Sequence, residues 1–272
     1  LRTLLELADD LRQPRLAFSA RMDQAMLDAF HGALDDAEQR TLDAMSTGFE
    51  DGLAQENIMG AVGAVLYMLR RAQGRPDELV GAIENLVETQ PGAPVWRIAL
   101  AGALSESGRA DEAQPHVDWL AADGCANVPP DVEYPVTLCG IARLTRTVQL
   151  DEAAMRHVYD HLLPFAGTYN WSGTSVTDAN DHGLAVLAAR RGHYATSDAH
   201  FTAAIALAAR ARARPYLATA HLDWARMLVE RDEHRAAAEH ARVALGIGED
   251  AGRDGPFGVA PLARELLAKA GP

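Results

Sequence analysis

A short acidic phrase returns along the chain: Leu34-Asp35-Asp36-Ala37, Arg75-Pro76-Asp77-Glu78-Leu79, Arg109-Ala110-Asp111-Glu112-Ala113 and Gln149-Leu150-Asp151-Glu152-Ala153. Weaker copies stand at His193-Tyr194-Ala195-Thr196-Ser197 and His234-Arg235-Ala236-Ala237. Aligned on residues 37, 79, 113, 153, 197 and 237, successive copies lie 34 to 44 residues apart. Five residues before each anchor stand Gly32, Gly74, Gly108, Val148, Gly192 and Asp232. A period of this length is one supersecondary unit, too small to bury its apolar face alone. The units must stack.

The phrase has the chemistry of a helical hairpin. A glycine ends one helix in the left-handed conformation at no steric cost. Acidic residues two or three positions later suit the positive N-terminus of the next helix. The small anchor lets that second helix lie close to the first, whose matching small residues are Ala101, Ala185 and Ala225. Leu100, Leu104, Val117 and Leu120 flank one such contact, and Leu184, Phe201 and Ala204 another, at helical spacing.

The spacing predicts an entry helix over 1–12, hairpins at about 15–47, 53–89, 94–123, 133–166, 176–211 and 215–248, and a closing helix over 256–270 started by Pro256. Proline and glycine mark the joints at 91–94, 129–130, 215 and 252–256, and the segment 124–132 is the expected bend. No segment alternates as a half-buried strand would, so no sheet is expected. With 48% apolar and only 6% aromatic residues, the composition suits close-packed helices. The expected fold is all-α: a right-handed superhelical solenoid of about fourteen helices, with residues 1–272 as a single array.

The offsets of leucine, small residue, glycine, alanine and phenylalanine resemble the tetratricopeptide repeat, most plainly in the third, fifth and sixth hairpins. Three phrases narrow the likeness: Pro94-Val95-Trp96-Arg97, Leu162-Leu163-Pro164-Phe165-Ala166-Gly167 and Ala213-Arg214-Pro215-Tyr216-Leu217-Ala218. They resemble the C-terminal helical-repeat region of large actinobacterial signalling regulators. In that group such an array is attached to an ATPase switch and to a LuxR-type DNA-binding or adenylate cyclase domain. The resemblance implies that effector domains lie elsewhere in a longer chain, as the Leu1 start also suggests. The first, second and fourth units depart from the pattern at Gln24, Arg70 and Val148.

Chemistry is harder to find in the residues. A phosphate loop needs a lysine, and Lys269 is the sole lysine. Gly60 and Gly63 read as close helix approaches. His157 and His161 share a helix face as two metal ligands would, with a third to come from Asp160 or elsewhere, but no Glu follows the first histidine as on a zinc-hydrolase helix, so no metal is expected. Arg210, Arg212 and Arg214, with Arg190 and Arg191, read as solvated cations ahead of a small anion site. The recurring carboxylate pairs read as helix N-terminal residues and not as acid–base catalysts. Cys125 and Cys139 read as free thiols in a reducing compartment. Trp96, Trp119 and Trp224 fall on apolar faces and read as core.

Residues 167–175, Gly-Thr-Tyr-Asn-Trp-Ser-Gly-Thr-Ser, form the longest polar, glycine-rich stretch. Its Tyr169 and Trp171 are the candidate binding residues, either as a recognition element or as rings folded onto the chain's own surface. The net charge of −13 opposes direct nucleic-acid binding, and no apolar run is long enough for a membrane span. The functional expectation is a cytoplasmic, non-catalytic regulatory or sensor module without a cofactor. It takes a protein partner or a small-molecule effector in a helical-repeat groove. The alternatives are a constitutive assembly scaffold and, last, a helical enzyme with a buried site.

Overall fold

The computed structural model of the chain describes residues 2–249 and 257–270. It is all-helical in character, with 78% of it helix. After α1 (Arg2–Asp10) come α2 (Pro14–His31) with α3 (Leu34–Glu50), α4 (Gln55–Gln73) with α5 (Val80–Thr89), and α6 (Pro94–Glu106) with α7 (Ala110–Cys125). Then follow α8 (Tyr134–Leu144) with α9 (Glu152–Leu162), α10 (Asn180–Arg190) with α11 (Tyr194–Ala211), and α12 (Arg214–Glu230) with α13 (His234–Glu249), closed by α14 (Val259–Ala270). The expected joint at 252–256, including Pro256, lies outside the described residues.

The turns use one device. Gly32, Gly74, Gly108 and Gly192 all have positive φ, and so does Asp232 at 58°. In each case the next N–H reaches back to a carbonyl five residues earlier: Ala33 to Asp28, Arg75 to Arg70, Arg109 to Leu104, His193 to Ala188 and Glu233 to Leu228, all at 2.8–2.9 Å. That bond satisfies a carbonyl the helix end would otherwise orphan. Val148 breaks the series. There α8 ends at Leu144, and α9 begins only at Glu152 behind an Asp151 side chain that caps Ala154 N–H at 2.7 Å.

The second helices bury a stripe with the spacing four, three, four: Ala37, Thr41, Ala44 and Gly48 on α3; Ala113, Val117 and Leu120 on α7. The same spacing gives Ser197, Phe201, Ala204 and Ala208 on α11, and Ala237, Ala241, Ala244 and Gly248 on α13. The expected partners Ala101, Ala185 and Ala225 are fully buried opposite them. Two anchors fail: Leu79 ends a 3-10 turn and is half-buried, and Ala153 is exposed while Val158 and Leu162 carry the burial on α9. Arg70, misplaced for packing, instead ties α4 to α3 through a bidentate pair with Glu38 at 2.6 and 2.8 Å. Ala122, Asp123 and Gly124 leave helical dihedrals inside α7, at the start of the segment 124–132.

One expectation is corrected. A sheet exists: β1 (Tyr169–Trp171) pairs antiparallel with β2 (Val176–Ala179), so the fifth hairpin starts at Asn180 and not at 176. Side-chain bonding, not alternation, holds it. Asn170 Oδ1 accepts from Thr177 and from the Asp178 N–H, and Asn180 donates to Phe165 O and Thr168 O. The units also touch beyond their neighbours in sequence. α12 packs against α2, Gly258 N–H donates to Ala72 O at 2.8 Å, and Phe257 is buried among Ile58, Val62 and Leu69 of α4. The two ends of the helical row meet, and the first helices of the hairpins face a partly open interior.

Candidate functional site

The β-hairpin reaches into that interior. Tyr169 stacks edge-on against Phe30 of α2 and Tyr216 of α12, at 5.0 and 5.9 Å between ring centroids. Tyr216 donates its hydroxyl to Val176 O. Trp171, at 50% exposure, faces outward. The two candidate binding residues are thus separated: one ring is packing, the other is free on the surface. What the hairpin does bring inward is Asp178, together with Ser172, Thr174, Ser175 and Thr177.

Two adjoining cavities occupy the interior. One of about 310 Å³ lies between α4, α6, α8 and the β-hairpin. A larger one of about 660 Å³ is bounded by α4, α8, α12 and α14. Arg71, Glu106, Arg143, Arg146, Thr177 and Asp178 line both. They form a charged band where the cavities adjoin.

The smaller cavity is built from stripes with the same four, three, four spacing, now on first helices. Gly60, Ala64, Tyr67 and Arg71 line it from α4, Val95, Ala99, Gly102 and Glu106 from α6, and Val136, Gly140 and Arg143 from α8. At 1.5 Å per residue, each stripe runs from a small or apolar N-terminal end to a charged C-terminal end over roughly 10–17 Å. Small residues set the spacing, since a Cβ on Gly140 would collide with Ile98, and one on Gly102 would stand 2.5 Å from the Tyr67 hydroxyl oxygen. Gly60 is a correction: its Cβ position is open, so it widens the cavity instead of letting helices approach. Trp96, half-buried, forms one wall and donates Nε1–H to Gln90 Oε1 at 3.2 Å.

Electrostatically the band is a network of ions, buried at Arg143, Asp178, His182 and Asp223, half-buried at Arg71, Arg146 and Arg226, and exposed at Glu106. Arg143 Nη1 holds Asp178 at 2.7 Å, Arg146 holds Asp223, and Arg226 reaches Asp223 at 2.9 Å. Arg71 clamps Glu106 through Nε and Nη2 at 2.9 and 2.6 Å. His182 lies between the two aspartates, Nδ1 at 3.1 Å from Asp178 and Nε2 at 2.9 Å from Asp223. Both ring nitrogens face carboxylates, and only the imidazolium donates from both. Burial opposes that charge, but the two aspartates outweigh it and hold the His182 pKa above its usual value. Burial likewise opposes the carboxylates, yet Arg143 and His182 hold Asp178 down to about 2, and Arg146 and His182 hold Asp223 well below its usual range. Burial, with Arg143 and Arg226 beside it, pulls Arg146 down to about 10, still charged at neutral pH.

Sequence reasoning missed this band because its members come from five helical hairpins and the β-hairpin. The available signal was charge inside apolar first helices: Arg143 after Ile141-Ala142, and Asp223 between Leu222 and Trp224. The other candidates are not assembled. Arg190 and Arg191 pair separately with Glu230 and Glu152. His157 and His161 stack at 4.1 Å, with His161 bonded to the Tyr134 hydroxyl, and no group of three or more metal-ligating side chains occurs among the described residues. Burial pushes Cys125 to about 11 and Cys139 to about 12. Trp224 stacks on Phe201, but Trp119 is 36% exposed under Arg97, so it is not core as expected. No helix among the described residues is long and apolar enough to cross a membrane. No known family model matches the chain, and no curated protein matches it in sequence.

Proposed function

We propose that the chain is a non-catalytic sensor module: a tetratricopeptide-like superhelical array that takes a ligand among its first helices. In this reading it works in the cytoplasm as part of a longer signalling or transcription-regulating protein. The observation that carries the reading is the cavity between α4, α6 and α8, where equally spaced stripes end on a partly buried charged band. Ion pairs so deep cost more in desolvation than a packed apolar core would. Their retention around a cavity is what a binding site, and not a scaffold surface, requires. A volume of about 310 Å³ suits a small effector and not a folded partner. A binding event here touches three hairpins at once, and a ligand preferring one arrangement of them shifts the array toward it.

A thermal-shift screen of small metabolites against the chain and its Gly60→Leu variant tests this. The reading predicts ligands that raise the melting temperature of the parent chain and leave the variant unmoved. Hydrogen exchange on such a complex should also slow in α12, beyond the cavity wall. If every stabilising ligand acts equally on both proteins, the groove is not the binding site.

A further inference from the structure

Resting on that reading, we infer that the ligand of the smaller cavity is a small organic oxyanion with a flat apolar body, its carboxylate or phosphate group held by Arg143 and Arg146. Charge gives the first half. At its band end Arg71, Arg143 and Arg146 line the cavity against Glu106 and Asp178, one positive charge in excess, and behind them His182 and Arg226 face a third carboxylate, Asp223. A fourth carboxylate, Glu133, lines the opposite end just before α8, about ten residues from Arg143 and so roughly 15 Å away along the helix.

Geometry gives the second half. The Arg143 side chain is 8% exposed, and its Nε–H is buried without a hydrogen-bond partner. A buried guanidinium donor left unpaired is costly, and an oxyanion is the acceptor that suits it. Thr177 and Ser175 line the same wall, their hydroxyls bonded within the hairpin to Asn170 and Ser172. Away from the band the lining turns to Trp96, Ile98, Val136, Ala64 and the bare Gly60. A planar ring fits there against the Trp96 face.

Calorimetric titration of the chain with 2-naphthylacetate, 2-naphthyl phosphate and the neutral 2-naphthylacetamide tests the assignment. One anion should bind at unit stoichiometry, about tenfold or more tighter than the amide. The tighter of the two identifies the headgroup. Arg146→Met leaves Asp223 its contacts with Arg143, Arg226 and His182, and should erase the preference for charge. Gly60→Leu fills open space on α4 without a backbone collision, and should abolish binding in a protein that still melts cooperatively. Amide bound as tightly as the anions, or no saturable heat from either anion, overturns the inference. Amide bound as tightly as the anions and lost with them in Gly60→Leu would overturn the anion assignment while leaving the sensor reading standing. Anion binding that persists in Gly60→Leu places the site elsewhere and overturns both.

Discussion

At the scale of single residues, the fate of Tyr169 and Trp171 separates two roles that the sequence presents together. Tyr169 is wedged between Phe30 and Tyr216, and its hydroxyl is buried without a partner. Tyr169→Phe removes an unsatisfied polar atom and should leave stability unchanged or raise it, whereas Tyr169→Ala should cost about 3 kcal/mol or more. Trp171→Ala should fall within about 0.5 kcal/mol of the parent. Urea denaturation of the three variants checks the ordering, and a large loss at Trp171 would contradict the placement of the hairpin. His182 makes a pH-dependent contribution. Its folded pKa is raised, so its stabilisation is complete below about pH 6.5 and fades as the pH climbs through the folded value. Asp178, depressed to about 2, works oppositely and loses its contribution as the pH falls from about 4 toward 2. His182→Gln should therefore cost about 3 kcal/mol near pH 6 and less at pH 9. Equal losses at the two pH values would mean that the ring is neutral in the folded protein.

At the scale of elements, the helices were legible because their punctuation is local. A glycine or aspartate turn, an acidic first turn and a small anchor lie within six residues of each other, and each acts by short-range backbone chemistry. Where the punctuation fails, at Val148, the helix boundary shifts with it and the anchor Ala153 ends up exposed. The β-hairpin was illegible for the opposite reason: Asn170 and Asn180 build it through side-chain bonds to backbone, which leave no alternation to read. The charged band was hidden too, because pairing between Arg143, Asp178 and Asp223 joins positions up to eighty residues apart. The turn device makes its own prediction. Asp232 holds a left-handed conformation at the position where four other units have glycine, with its side chain almost wholly exposed. Asp232→Gly should stabilise the chain by about 1 kcal/mol, read as a higher urea midpoint with an unchanged slope. A lower midpoint would show that the left-handed turn is not what the sixth hairpin needs.

At the scale of the whole molecule, the meeting of the two ends distinguishes this array from a row of units in contact with neighbours alone. Gly74 and Gly108 hold the same kind of turn, at φ 73° and 78°. A Cβ at Gly108 meets nothing within 4 Å, whereas one at Gly74 would stand 2.8 Å from the Gly258 backbone. Gly108→Ala therefore reports turn strain alone, of about 1 kcal/mol, and Gly74→Ala should cost clearly more because the closing contact must also shift. Equal losses would mean that the ends are not joined in solution. In the proposed reading closure bears on ligand binding, because α12, packed against α2, carries Asp223 and Arg226 of the charged band.

The most direct measurement is a crystal structure of the chain grown with 2-naphthylacetate. The account predicts the carboxylate within about 3 Å of Arg143 and Arg146, with the naphthyl ring beside Trp96 and Gly60. Ligand density on the outer surface near Trp119 or Trp171, with the cavity between α4, α6 and α8 closed by its own side chains, would contradict it.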